Sequence, residues 1–202
     1  MTNHNWLVTD DGQCRNFGNA KMAAPAEYYR LYRFLTDLED ILKVTHDDVA
    51  RLEAITPLVR TLLISSFWLQ MEYNNPDPKT GWSVRFLYQE HEFPITIQMV
   101  AWAPRQRSPI HNHGTWGIVA LLDGQERNRL WQRQPDADHP DRIAPTQDLL
   151  LNPGDIVALT ADAIHSVEPL GDTPTISFNL YGVTNFQQRY EFDPDHHTAK
   201  LF

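Results

Sequence analysis

The feature that most constrains the fold of this sequence is a change of hydrophobic periodicity near residues 74–81, a segment rich in Asn, Pro, Asp and Gly. After this segment, short stretches of alternating apolar and polar residues recur, separated by turn signals such as Asp123-Gly124 and Pro153-Gly154-Asp155. Many short alternating segments at regular spacing are typical of an antiparallel sandwich or barrel. We therefore predict a mainly β fold for residues 80–202.

The alternating segments also predict individual strands. These are residues 83–88, 96–102, 116–122, 125–131, 149–151, 156–159, 165–168 and 175–181. The segments on either side of Asp123-Gly124 are predicted to form a hairpin, because Asp-Gly supplies the positive φ values of a tight turn. A polar, proline-containing loop is predicted from Gln134 to Thr146.

The first 75 residues carry a helical pattern instead. Pro25 or Ala26 suits the start of an amphipathic helix whose apolar positions are Leu31, Phe34, Leu35, Leu38, Ile41 and Leu42. The segment Thr45–Asp48 resembles a capping box, and Thr56-Pro57 can cap a further helix. Residues 1–24 lack clear periodicity and are expected to wrap or fray. We predict two or three helices in an N-terminal segment, residues 1–75, packed on a barrel of residues 80–202 as one structural domain.

Two histidines one residue apart predict a metal site. In an extended chain His111 and His113 lie on the same face, because side chains alternate from one residue to the next. His165 follows the Pro153-Gly154-Asp155 turn and supplies a third imidazole. No acidic residue follows His113 on that side of the strand, so we predict a three-histidine metal site and not two histidines with a carboxylate.

Further polar residues are candidates for the same site. Ser177, Asn179 and Tyr181 share one face of the last predicted strand. This row fits a solvent-facing edge and a cavity lining equally well. Arg85 is a strand arginine whose forked donors suit a carboxylate.

Together, Arg85, His111-Asn-His113, Gly154, His165 and Ser177-Phe-Asn179-Leu-Tyr181 resemble the thiol dioxygenases, the cysteine dioxygenase branch of the cupin superfamily. The resemblance covers about residues 80–185. It implies a double-stranded β-helix barrel in which His111, His113 and His165 hold Fe(II). It also implies that a small thiol such as cysteine reacts with O2 to give a sulfinate. Arg85 matches the arginine that grips the substrate carboxylate, and Tyr181 matches the tyrosine beside the iron.

Several positions depart from that family. Asn179 stands in the place of a histidine, Ser83 stands where the animal enzymes have a tyrosine, and no cysteine follows His113. Asn cannot relay a proton as imidazole does, although it can orient Tyr181 by hydrogen bonding. The mercaptopropionate branch carries a glutamine at the place of Arg85 and an arginine beyond the tyrosine, a position that Arg189 resembles.

Composition limits the partners and the compartment. A formal net charge of -9 repels nucleic acid and anionic membranes, and the single Cys14 favours a reducing cytoplasm. We expect a cytoplasmic enzyme that acts on a small-molecule thiol and O2, as a monomer or weak homo-oligomer. Three neutral ligands also suit Ni, Zn or Co. The alternatives are a carbon-carbon-cleaving cupin dioxygenase and a non-catalytic cupin sensor that binds a metal or a ligand.

Overall fold

The computed structural model describes residues 3–18, 20, 28–93 and 95–202. The described residues form two α-helices, α1 (Leu31–Val44) and α2 (Asp48–Ser65), and a 3-10 helix, Phe67–Met71. Their strands are β1 Asn5–Val8, β2 Cys14–Asn16, β3 Trp82–Gln89, β4 Thr96–Trp102, β5 Ile110–His111, β6 Gly117–Asp123, β7 Gln125–Arg133, β8 Ile143–Leu151, β9 Ile156–Leu159, β10 Ile164–Leu170, β11 Thr175–Tyr181, β12 Tyr190–Asp193 and β13 Thr198–Leu201.

Strands β4 to β11 form the barrel. One sheet contains four of them in the order β9-β6-β11-β4, and the other sheet contains the order β5-β10-β7-β8. Neighbours within each group are antiparallel. Most strands that follow each other in the chain lie in different sheets, which is the double-sheet jelly roll found in cupins. The predicted fold class is therefore confirmed.

The predicted hairpin around Asp123-Gly124 is wrong. Strand β6 pairs with β9 and β11 in one sheet, whereas β7 pairs with β8 and β10 in the other. The dipeptide forms a corner between the sheets, in which Gly124 has a φ of 79°. A Cβ atom at Gly124 would lie 2.7 Å from Cγ2 of Thr175. The corner therefore requires glycine at position 124. A tight hairpin turn would require it as well, so the Asp-Gly sequence does not distinguish a corner from a hairpin.

The barrel is extended at its edges by strands that were not predicted. Strand β1 pairs in parallel with β9 and antiparallel with β2, so residues 5–16 belong to the first sheet and not to a helical segment. A hairpin of β12 and β13 extends the second sheet beyond β5. Strand β8 begins at Ile143, inside the predicted loop, because it pairs with β7 along its whole length.

The helices also differ in detail from the sequence pattern. The predicted helix start at Pro25 or Ala26 lies outside the described residues, and α1 begins at Leu31. Helix α2 begins after Asp47, whose carboxylate accepts a hydrogen bond from the amide of Ala50, and it continues through Pro57 without a break. The two α-helices of the described residues agree with the predicted two or three, but Thr56-Pro57 lies inside α2 and caps no further helix. In the described part of the chain, neither helix combines the length and apolarity needed to cross a bilayer.

The register of the first sheet separates its two faces. Leu180 of β11 lies opposite Ile118 of β6 and Ile97 of β4, and these three side chains are fully buried in one cluster with the apolar faces of α1 and α2. The adjacent Asn179 lies opposite Val119. Because successive side chains alternate, Asn179 and Val119 face the barrel interior. The helices thus cover the outer face, and the inner face is left for the site.

Candidate metal centre

Three histidines meet inside the barrel, as the sequence predicts. His111 ends β5 and lies directly opposite His165 of β10 in the antiparallel register. His113 follows two residues after His111, so its side chain returns to the same face. All three are buried, and their ligand nitrogens lie within 4.8 Å of one another. The structure therefore brings the predicted ligand set together.

Hydrogen bonds direct the histidine nitrogens. The Nδ1 atom of His111 lies 2.9 Å from the carbonyl oxygen of Pro109, which can only accept, so Nδ1 carries the proton. The Nδ1 atom of His165 lies 2.9 Å from Oδ1 of Asn128. In both rings Nε2 is then the unprotonated nitrogen, and its lone pair is free. Such partners fix the tautomer and orientation of histidines that bind metals.

The spacing of two ring nitrogens fits a common ion. Nε2 of His113 and Nε2 of His165 are 3.0 Å apart. Two nitrogens that each lie about 2.1 Å from one first-row ion can be at most roughly 4.2 Å apart, so a separation of this size would let His113 and His165 hold the same ion. Burial lowers the pKa of His111 to about 4 and lowers the pKa of His113 and His165 as well. All three are neutral at pH 7, as metal binding requires.

The polar row of β11 lies beside the histidines. The hydroxyl of Tyr181 donates to Oδ1 of Asn179 at 3.0 Å, and Nδ2 of Asn179 donates to Oγ of Ser177 at 2.9 Å. The ring of Tyr181 stacks on His113, with centroids 4.7 Å apart and planes 27° apart. Gly117 makes room for this ring, since a Cβ atom there would lie 2.7 Å from it. Burial raises the pKa of Tyr181, so the phenol stays protonated.

Arg85 lies away from this group. It is directly opposite Met99 of β4, which lies opposite Phe178 of β11. Met99 and Phe178 belong to the cluster that packs on the helices, so the register places Arg85 on the outer face of the sheet. Its side chain is 45% exposed and pairs with Glu72. The expectation that Arg85 points into the barrel therefore needs correction.

Arg189 lies at the site instead. Its guanidinium contacts the ring of Phe202, and that ring stacks on His111. Burial is the main cause that lowers the pKa of His111 and of His113, and the positive charge of Arg189 acts in the same direction on both. Its Nε is buried without a hydrogen-bond partner, and no described residue forms an ion pair with it. The guanidinium carbon lies 4.2 Å from the ring centre of Phe202. Arg189 is thus a half-buried cation without a carboxylate partner.

Asn112, the residue between His111 and His113, forms hydrogen bonds with the backbone on both sides of Arg189. Nδ2 of Asn112 donates to the carbonyl of Gln188 at 2.8 Å, and Oδ1 accepts from the amide of Tyr190 at 2.7 Å. Alternation could have predicted that Asn112 faces away from the metal ligands, but the sequence does not reveal which segment it binds.

Two buried polar residues of β7 were also missed. Asn128 holds His165, and its Nδ2 is buried without a hydrogen-bond partner among the described atoms. Glu126 is 2% exposed and accepts a 2.6 Å hydrogen bond from the hydroxyl of Thr175. Burial raises the pKa of Glu126 to about 7. The available signal was the alternation in this strand, which places Glu126 and Asn128 on one face and Arg127 and Arg129 on the other.

No family model matches the sequence. Among solved structures, the chain is similar to an oxalate oxidase in complex with the substrate analogue glycolate, with 13% identity, a TM-score of 0.42 and coverage of 57% of this chain and 57% of that chain. A protein from Thermus thermophilus has 17% identity and a TM-score of 0.44, covering 57% of this chain and 94% of that one. A cupin superfamily protein from Desulfitobacterium hafniense has 14% identity and a TM-score of 0.38, with coverage of 50% and 77%.

The match thus spans less than two thirds of the oxalate oxidase chain. Because these TM-scores are low, the fold class rests on the strand order of this chain and not on the similarity. The strand order is that of a jelly-roll barrel of the cupin type. Inside it, three buried histidines form a cluster that could hold a metal ion.

Proposed function

We propose that this protein is an iron(II)-dependent dioxygenase that converts a small, carboxylate-bearing thiol to its sulfinate with O2. The observation that carries the proposal is the unpaired guanidinium of Arg189 beside three neutral, inward-facing histidines. Three neutral ligands leave the full dipositive charge of the ion to attract an anionic substrate. The overall reaction adds both atoms of O2 to the sulfur of the thiol.

Iron fits the residues present, with His111, His113 and His165 as its ligands. When bound, iron(II) would supply open coordination positions and a redox-active centre through which the thiol sulfur, the net donor of four electrons, reduces O2. The same ligands accept Ni, Zn and Co, and affinity alone favours several of these ions over iron(II). Purified protein is therefore expected to need iron loading under anaerobic conditions before it is assayed.

Arg189 is the proposed partner of the substrate carboxylate, in place of Arg85. A guanidinium forms two parallel hydrogen bonds with a carboxylate, and such bonds strengthen where water is excluded. Arg189 is half-buried and free, whereas Arg85 is already paired with Glu72 on the outer face of the sheet. Among the thiols considered from the sequence, this placement favours the mercaptopropionate type over the cysteine type.

The row of Ser177, Asn179 and Tyr181 is proposed to hold one wall of the substrate site. The Tyr181 hydroxyl donates a hydrogen bond to Oδ1 of Asn179, and Nδ2 of Asn179 donates in turn to Oγ of Ser177. The phenol oxygen keeps a lone pair that can accept a hydrogen bond from a substrate amine or from water. Asn179 therefore fixes the Tyr181 ring against His113 and takes no part in proton transfer.

The proposal is tested by loading the full chain with iron(II) without oxygen and then measuring oxygen uptake with four thiols: cysteine, 3-mercaptopropionate, mercaptosuccinate and cysteamine. Stoichiometric sulfinate from at least one carboxylate-bearing thiol is expected. Arg189→Ala should raise KM for that thiol about ten- to hundredfold, because charge-assisted hydrogen bonds are lost. The KM for cysteamine, which has no carboxylate, should change little.

The matched control is Arg85→Ala, which removes an arginine from the outer face of the same barrel. It should leave both KM values unchanged. Equal loss for cysteamine and the carboxylate-bearing thiols in Arg189→Ala would remove Arg189 from substrate binding. If iron binds but none of the four thiols is oxidised, the thiol dioxygenase proposal fails. A carbon-carbon-cleaving dioxygenase or a non-catalytic sensor then becomes the better hypothesis for this site.

A further inference from the structure

The ring of Phe202 lies between a metal ligand and the free arginine. It stacks on the imidazole of His111 with centroids 5.5 Å apart and planes 21° apart. The guanidinium carbon of Arg189 lies 4.2 Å from the centre of the same ring. One phenyl group thus contacts both the first metal ligand and the proposed carboxylate partner.

The backbone holds this ring in place. The amide of Phe202 donates to the carbonyl of Arg189 at 2.9 Å. Strand β13, which ends at Leu201, pairs with β12, and β12 pairs with β5 so that Glu191 lies opposite His111. Strands β5, β12 and β13 are thus joined by backbone hydrogen bonds, and this pairing places Phe202, the residue after β13, next to His111. The position of the ring is therefore a consequence of the hydrogen-bonded sheet.

The contact with Phe202 takes the place of an ionic partner. Most arginines in the described part of the chain are paired with Asp or Glu, including Arg51, Arg107 and Arg129. A carboxylate partner would orient Arg189 but would also compete with a substrate carboxylate for its donors. An aromatic face attracts a cation without using any of its N–H groups. Phe202 can therefore orient the guanidinium and leave its donors free.

Resting on the proposed function, we infer that Phe202 is a positioning residue for carboxylate recognition. Its ring holds the Arg189 guanidinium beside His111, where it would face the carboxylate of a thiol bound at the metal site. It also shields one side of His111 from water. The substrates favoured by this arrangement are small thiols that carry a carboxylate.

The inference is tested by ligand binding, without turnover, on the full chain loaded with cobalt(II). Thiolate-to-cobalt absorption reports binding of 3-mercaptopropionate and of cysteamine. Phe202→Ala should weaken 3-mercaptopropionate binding about two- to thirtyfold, the range of cation–π contacts, and leave cysteamine binding unchanged. Phe202→Tyr keeps an aromatic face and should bind like the wild type. Phe202→Leu keeps apolar volume only and should behave like Phe202→Ala.

Two controls separate positioning from a general structural effect. Phe67→Ala removes an aromatic residue that is 71% exposed on the 3-10 helix and should change neither affinity. On an Arg189→Ala background, Phe202→Ala should have no further effect on 3-mercaptopropionate, because the residue acts through the guanidinium. Cobalt affinity and circular dichroism should match the wild type in every Phe202 variant.

The outcomes distinguish this inference from the proposed function. If the wild-type cobalt protein binds 3-mercaptopropionate no better than cysteamine, carboxylate recognition itself is absent and the proposed function loses its support. If the wild type discriminates and Phe202→Ala discriminates equally well, only the role of Phe202 is overturned. Equal weakening of both ligands, or wild-type behaviour of Phe202→Leu, would also overturn it, because neither result depends on an aromatic face beside Arg189.

Discussion

Glu126 gives the sharpest prediction for stability, because it is an acid enclosed in the barrel with one hydrogen-bond donor, Thr175. Burial raises its pKa from 4.5 to about 7, although the Thr175 hydrogen bond acts in the opposite direction. We expect Glu126→Gln to stabilise the protein above neutral pH. Glutamine keeps an oxygen that can accept from Thr175 and carries no charge at any pH.

The sign and size follow from proton linkage. Between pH 4.5 and about 7 the folded state keeps a proton on Glu126 that the unfolded chain has released. Raising the pH across this window therefore favours unfolding, and the loss is complete above about pH 7. The shift corresponds to an upper limit of about 3 kcal/mol. Glu126→Gln should therefore raise the free energy of unfolding by about 2–3 kcal/mol more at pH 8 than at pH 5.

Urea unfolding of the metal-free chain at pH 5 and pH 8 measures this difference. Glu53→Gln is the matched control: Glu53 is an exposed partner of Arg15, and its replacement should change the free energy of unfolding by less than about 1 kcal/mol. Equal effects of Glu126→Gln at both pH values would refute the reasoning, because they would mean that Glu126 ionises in the folded state as it does in water. Destabilisation at pH 8 would also refute it.

Three further outcomes follow from single contacts. Asn128→Ala should lower metal affinity about 10- to 100-fold by freeing the ring of His165, whereas Arg129→Ala on the outer face of the same strand should not, as isothermal titration with cobalt would show. Phe34→Ala should lower the free energy of unfolding by about 3–5 kcal/mol in urea, because the side chain is fully buried beneath the first sheet. Gly114→Ala should lower the melting temperature, since φ is +60° and a Cβ would lie 2.6 Å from the carbonyl oxygen of Asn185; an unchanged value would contradict the close approach.

Much of the barrel was predictable because its strands are amphipathic and bounded by turn residues. The bounds of β4, β9 and β11 agree with the sequence pattern at both ends. The metal ligands were predictable for a related reason. In His111-Asn112-His113 the period of two in an extended chain decides which side chains share a face, and no partner strand is needed to decide it.

Positions that depend on a distant partner could not be predicted. The face on which Arg85 lies depends on its register with Met99, and a shift of one residue would reverse it. The irregular pairing between Phe86 and Tyr88 shows that this register is interrupted nearby. Asn128 alternates with Arg127 and Arg129, so the sequence places it on the opposite face from them. That it holds His165 depends on the pairing of β7 with β10, which the sequence does not reveal.

The pairing of His111 with His165 sets the order in which the site can form. His113 and His165 are 52 positions apart in the chain, and they meet only when β10 has paired with β5 and β7. Contacts of such long range form late in folding because closing the intervening loop carries a large entropic cost. The unfolded chain therefore has no preformed three-histidine chelate. A metal ion that binds only the closed barrel will slow its opening and raise its stability with the logarithm of metal concentration, so metal supply would act on the lifetime of the folded protein as well as on its chemistry.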